Sequence, residues 1–116
     1  MIEITVDNFV KTIEQSGIVL LDWWAAWCGP CRAFAPTFEA ASKKHEDVVF
    51  GKIDTEAQPE LASALQIRSI PTIMAFRDGI LVFAQPGMLP AAALEDLITK
   101  VRALDMDEVR KKVKET

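Results

Sequence analysis

The chain contains two cysteines, Cys28 and Cys31, in the run Trp27-Cys28-Gly29-Pro30-Cys31. A disulfide between them would close almost no loop, so it can add little stability, and the value of the pair must be chemical. The motif follows an apolar run and opens a helical pattern. The start of a helix leaves backbone N–H groups unpaired and carries the positive end of the helix dipole, and both favour a thiolate at the first cysteine. A thiolate is the nucleophile of disulfide exchange. One turn later the second cysteine lies close enough to attack a mixed disulfide. Gly29 permits the tight turn, and Pro30 suits the first helical position because its missing N–H would have been unpaired there. The bland rival is zinc, but tetrahedral zinc needs about four ligands. The sole histidine, His45, lies far along what reads as a solvated helix. No metal and no cofactor are expected beyond the redox-active Cys28–Cys31 pair itself.

Asp22 is the other residue whose placement suggests chemistry. It interrupts the apolar run from Ile18 to Ala25. A carboxyl group buried there should have a raised pKa, which suits a proton shuttle near neutral pH. The competing reading is an acid at a strand end, exposed to water.

The elements that must hold these residues follow from periodicity. Ile2 to Val6 alternates as a strand, and Asp7 can cap a helix with Phe9, Val10 and Ile13 on its apolar face, ended by Ser16-Gly17. Ile18 to Ala25 reads as a central strand buried on both faces. Arg32 to Glu46 reads as a helix with Phe34, Phe38 and Ala41 inward, and Pro36 predicts a kink in it. Val48 to Asp54 is a strand, and Glu60 to Leu65 a short helix. Thr72–Phe76 and Ile80–Ala84 form a hairpin around Asp78-Gly79. Pro90 starts a helix presenting Leu94, Leu97, Ile98 and Val101. The order β-α-β-α-β-α-β-β-α implies an α/β domain, a mixed sheet with helices on both faces. Met74, Met88 and the phenylalanines read as packing, and Trp24 as core, with contact to substrate a lesser alternative for Met88 because it follows Gly87.

The 116 residues suit one domain, and the net charge of −4 offers no excess of Lys or Arg for nucleic acid. No apolar stretch approaches a membrane span and the N-terminus lacks the pattern of a secretory signal, so a cytoplasmic protein is expected.

The run Leu20-Leu21-Asp22-Trp23-Trp24-Ala25-Ala26-Trp27-Cys28-Gly29-Pro30-Cys31-Arg32 resembles the active-site segment of the thioredoxin family. Lys52-Ile53-Asp54, Arg68-Ser69-Ile70-Pro71-Thr72 and Phe76-Arg77-Asp78-Gly79 resemble that family at matching spacings, and the likeness covers about residues 2 to 103. The resemblance implies a thioredoxin fold with about five strands and four helices, and a protein-disulfide reductase that works as a monomer. Cys28 matches the attacking nucleophile, Cys31 the resolving thiol, Asp22 the buried acid that relays a proton, and Lys52 the lysine that tunes it, an ordinary surface lysine being the competing reading at that position. Pro71 matches the family's cis-proline, which leaves the backbone of Ile70 free to pair with an extended substrate. With Trp27, Gly29, Pro30 and Gly87 these two residues make up the implied substrate-binding surface. Disulfide-containing proteins are the implied substrates and thioredoxin reductase the implied source of electrons. The Gly-Pro dipeptide matches strongly reducing members.

Trp23 stands where that family more often has Phe or Tyr, and Pro86 before Gly87 restricts Gln85 beside the presumed groove. Residues 1–103 form the expected domain. Residues 104–116 read as a short solvated helix appended to it, with Asp105 and Glu108 as a capping pair and Val109 and Val113 one turn apart. A second functional reading, a binding module that needs no turnover, has no chemical use for an intact Cys28, Cys31, Asp22 and Pro71.

Overall fold

The computed structural model describes residues 1–115. Five strands form one sheet: β1 (Ile2–Glu3), β2 (Ile18–Trp24), β3 (Val49–Asp54), β4 (Thr72–Arg77) and β5 (Ile80–Pro86). Five helices accompany them: α1 (Phe9–Ile13), α2 (Gly29–Lys44), α3 (Pro59–Ala64), α4 (Ala91–Arg102) and α5 (Met106–Glu115). The spatial order is β1-β3-β2-β4-β5. The β1–β3 and β3–β2 pairs are parallel, and β2–β4 and β4–β5 antiparallel. This is the mixed sheet expected from the order of elements.

The strands alternate between two cores because successive side chains point to opposite faces. On one face Ile18 and Leu20 of β2 and Ile73 and Ala75 of β4 pack with Phe34 and Phe38 of α2 and Leu94, Ile98 and Val101 of α4. On the other, Val19, Leu21 and Trp23 pack with Phe9 of α1 and Ala62 of α3. Trp23 is fully buried there with its ring centroid 6.2 Å from that of Phe9, and its Nε1 meets no acceptor among the described residues. Gly51 sits where β3 is crowded: a Cβ there would lie 2.8 Å from Ile4 Cγ1 and 3.0 Å from Leu21 Cδ2.

Several sequence-based expectations need correction. The first strand stops at Glu3, not Val6. Ile4 N–H still donates to Lys52 O at 2.8 Å, but Thr5 N–H is taken by Asn8 Oδ1 at 2.7 Å, which turns the chain. Asn8, not Asp7, occupies the N-cap of α1, and Val10 is exposed on that helix. Helix α2 starts at Gly29 and ends at Lys44, with Pro36 inside it at an exposed position. His45 is not a solvated helical residue. It caps the C-terminus of α2 and is half-buried, its Nε2 2.9 Å from Glu95 Oε1 and its Nδ1 2.9 Å from Arg102 Nη2. Because a guanidinium only donates, Nδ1 accepts and Nε2 donates to Glu95.

The C-terminal helix is docked, not merely appended. Met106 is buried, Val109 is half-buried, and residues of α5 line a shared apolar cleft with Ile80, Leu81 and Val82 of β5. Asp105 Oδ1 accepts from the N–H groups of Asp107 (3.0 Å) and Glu108 (3.3 Å), a working N-cap. Arg110 pairs at 3.5 Å with Asp78, whose other oxygen accepts from Gly17 N–H at 2.7 Å. The last residue of the expected extension, Thr116, lies outside the described residues.

Candidate active site

Strand β2 ends at Trp24 and the chain turns through Ala25 to Trp27, closed by Cys28 N–H donating to Ala25 O at 3.2 Å. Cys28 then occupies the N-cap of α2 in an extended conformation (φ −86°, ψ 114°), with Pro30 in the first turn. Its Sγ accepts from the backbone N–H of Cys31 at 3.2 Å, and its carbonyl accepts from Arg32 N–H at 3.1 Å. The sulfur therefore takes the place that a serine or aspartate oxygen takes in an ordinary N-cap. Cys28 and Cys31 are joined as a disulfide with Cα atoms 5.2 Å apart. Both are buried, in a small cluster with Ala25 that Trp24 and Ile70 flank. Reduction would leave the first sulfur facing a helix N-terminus, where negative charge is stabilised.

Beneath this turn Asp22 and Lys52 are partners in the register of β2 and β3. Asp22 shows no exposed surface, and neither carboxylate oxygen meets a donor among the described residues. Burial pushes its pKa up to about 6, and the positive charge of Lys52 only partly offsets this. Lys52 is half-buried, with Nζ 4.7 Å from the centroid of the Trp24 ring. Trp24 is accordingly half-buried and engaged with a cation, not a core residue. Asp22 and Lys52 are thus brought together, one strand apart, at the end of the sheet that carries the cysteines.

The rim comes from two further segments. The Ile70–Pro71 peptide is cis, and Ile70 O lies 3.7 Å from Cys28 Sγ. Gly87 follows β5 at φ +96°, a backbone conformation that a side chain would strain. Its N–H donates to Pro71 O at 2.7 Å, so Ile70, Pro71 and Gly87 form one tied wall beside the sulfurs. Trp27 is 66% exposed on the other side, and Gly29 and Pro30 are exposed at the helix start. All ten residues singled out from the sequence therefore gather around the cysteine turn or directly below it.

Two further rim residues stand beside these ten, and the sequence reading missed one of them, Glu56. Met88 is exposed (42%), not packed, because it follows Gly87 out of the sheet. Glu56 accepts a hydrogen bond from Trp27 Nε1 at 2.8 Å. Its position two residues past the end of β3 was a weak signal, since nothing local marks a partner 29 residues away. Among the described residues no group of three or more His, Cys, Asp or Glu side chains could hold a metal. No helix among them is long and apolar enough to cross a membrane.

A mixed sheet between helices, with a Cys-Gly-Pro-Cys disulfide at the start of α2, defines a thiol–disulfide oxidoreductase of the thioredoxin fold. The thioredoxin family model matches residues 1–100. A protein from Streptomyces coelicolor named as a thioredoxin 2 is 57% identical over 114 residues, covering 98% of this chain and 85% of that one. Thioredoxin 1 of Synechococcus elongatus is 41% identical over 91 residues, 78% of this chain and 85% of that one. Among solved structures, a Plasmodium falciparum thioredoxin superposes with a TM-score of 0.79 at 34% identity, covering 86% of this chain and 98% of that one. A mutant thioredoxin from Halobacterium salinarum gives 0.82 at 31% identity, over 90% and 92%. The chain belongs to the thioredoxin family.

Proposed function

We propose that this oxidoreductase is a protein-disulfide reductase in which Cys28 attacks and Cys31 resolves. The supporting observation is the N-cap position of Cys28, whose sulfur already accepts the Cys31 amide. In the dithiol form the Cys28 thiolate attacks one sulfur of a substrate disulfide. The S–S bond breaks, the other substrate sulfur leaves as a thiolate, and a mixed disulfide forms. Cys31, once deprotonated, attacks Cys28 Sγ. This releases the second substrate thiolate and leaves the Cys28–Cys31 disulfide, so two electrons pass to the substrate. Asp22 takes the proton from Cys31. Its pKa of about 6 makes it a better base near neutral pH than an ordinary aspartate. Lys52, facing it across the strand pair, limits how far burial can raise that value.

Trp27, Gly29, Pro30, Ile70, Pro71 and Gly87 form the surface on which the substrate chain lies, with the backbone of Ile70 beside the attacking sulfur. The protein acts as a cytoplasmic monomer without cofactor or metal. Disulfide-bearing proteins are its substrates, and a thioredoxin reductase returns it to the dithiol. Residues 1–103 form the working domain, and α5 is a further helix docked against β5. Insulin reduction tests the reading. The wild type should precipitate insulin B chain in the presence of dithiothreitol, and Cys28→Ser should fall to the dithiothreitol background. Equal rates for the two would show a binding module instead of a reductase.

A further inference from the structure

We propose that Met88 is a modification site: peroxide converts its thioether to the sulfoxide, and the polar group at the rim weakens the hold on substrate chains while the cysteine pair stays intact. This rests on the reductase reading above. The chain has four methionines. Met74 and Met106 are buried, whereas Met1 (56%) and Met88 (42%) are open to solvent. Met1 precedes β1, at the opposite border of the sheet from β5. Met88 comes two residues after β5, on the wall beside the sulfurs.

The backbone imposes this exposure. On one side Gly87 N–H donates to Pro71 O at 2.7 Å, one residue from the Ile70 carbonyl that lies 3.7 Å from Cys28 Sγ. On the other, Leu89 is buried in the core with Leu94 and Ile98, and Pro90 is the N-cap of α4. A proline there also restricts the backbone of Leu89. Met88 is thus held between two anchored neighbours with its side chain left outside the core. An unbranched, polarisable thioether in that setting suits contact with varied apolar side chains of a substrate. The same exposure opens its sulfur to an oxidant. In the reaction one peroxide oxygen bonds to the Met88 sulfur and the O–O bond breaks. The proton of the transferred hydroxyl passes to the leaving one, which departs as water, so the sulfur loses two electrons and the peroxide gains them. The closed Cys28–Cys31 disulfide offers no free thiol to compete. A sulfoxide is polar and must shed water when a substrate chain covers it, so docking weakens while the exchange steps keep their sulfurs.

The protein, held as its disulfide, is exposed to hydrogen peroxide, and sulfoxide at each methionine is followed by peptide mass spectrometry. Met88 and Met1 should oxidise at least about tenfold faster than Met74 and Met106, because reaction follows exposure. The product is then reduced with dithiothreitol and assayed in single turnover on two substrates, a disulfide peptide with leucines flanking its cysteines and a small aromatic disulfide. Half-saturation for the peptide should rise by about three- to tenfold, the scale of covering one polar group, with its limiting rate and the reduction of the small disulfide within about twofold of untreated protein. Methionine sulfoxide reductase should return half-saturation to its starting value. Met88→Leu has no sulfur at the rim and should show the same half-saturation before and after peroxide, although its Met1 still oxidises. Met88→Gln should raise half-saturation with no peroxide added. The proposal is overturned if Met88 oxidises no faster than the buried pair, or if half-saturation is unchanged in the sulfoxide form or in Met88→Gln. It is overturned equally by a loss that the sulfoxide reductase does not reverse, or by a peroxide effect that persists in Met88→Leu. A wild type that reduces neither the peptide nor the small disulfide overturns the reductase reading, and this inference with it.

Discussion

Replacing Asp22 with asparagine should stabilise the oxidised protein, and by an amount that depends on pH. The carboxyl group is fully buried without a donor, and its pKa rises from 3.8 to about 6. The folded state therefore holds a proton that the unfolded chain loses at lower pH. Stability contributed by this group is complete below 3.8 and falls as pH rises through 6, beyond which the loss is constant. That loss is worth about 3 kcal/mol at pH 7.5 and well under about 1 kcal/mol at pH 4. Lys52 is already included, since its attraction is what keeps the pKa from rising further. Asparagine does not titrate, so any penalty from its own unpaired amide is the same at every pH, and the slope isolates the charge. Urea denaturation at intervals from pH 4 to pH 8 should show the gap between variant and wild type widening by about 2 kcal/mol, and the difference in melting temperature should grow by several degrees over the same range. A gap constant within about 0.5 kcal/mol across that range would refute a buried, unpaired carboxylate at this position.

Cys31→Ser should accumulate a mixed disulfide between Cys28 and its substrate, visible on a non-reducing gel and lost with dithiothreitol, because the thiol assigned to resolution is gone. Gly51→Ala should cost about 1–3 kcal/mol in urea denaturation, since its Cβ would meet Ile4 and Leu21, both fully buried and unable to retreat far. Met106→Ala should destabilise by about 2 kcal/mol, whereas Arg110→Ala should cost less than about 1 kcal/mol because its pair with Asp78 is partly exposed. Equal losses for those two variants would mean that α5 is held by charge and not by its apolar face.

The cysteine turn and the sheet around it were legible because their signals are local. An apolar run, a Gly-Pro dipeptide and a following amphipathic pattern place Cys28 at a helix start without knowledge of any distant partner. Asp22 was legible for a similar reason, being one acid among apolar neighbours. The features that escaped depend on side chains meeting across long separations. Glu56 finds Trp27 only after β2 and β3 pair. His45 leaves solvent only because Glu95 and Arg102 of α4 arrive beside it. Asn8 displaced Asp7 at the cap of α1 because its side chain satisfies the preceding turn, accepting from Thr5 N–H and donating to Glu3 O, which helix capping rules do not weigh. For Met88 packing was the first reading and substrate contact the lesser one, because sequence cannot tell an apolar residue on a strand from one just beyond it. The docking of α5 needed sight of Ile80 to Val82, a face that has no counterpart in the spacing of Met106, Val109 and Val113 alone.

Strand β5 is the open border of the sheet on the β4 side, and such borders invite polymerisation by offering unpaired amides and carbonyls to any passing chain. Here the border is guarded at both ends. Helix α5 lies against its first three residues, and Pro86 at its last has no amide to offer. The stretch left between, Phe83 to Gln85, is too short to seed a stable cross-strand ladder. A chain that leaves Trp27 and Met88 exposed beside its disulfide is thereby kept from pairing with other chains along its flank.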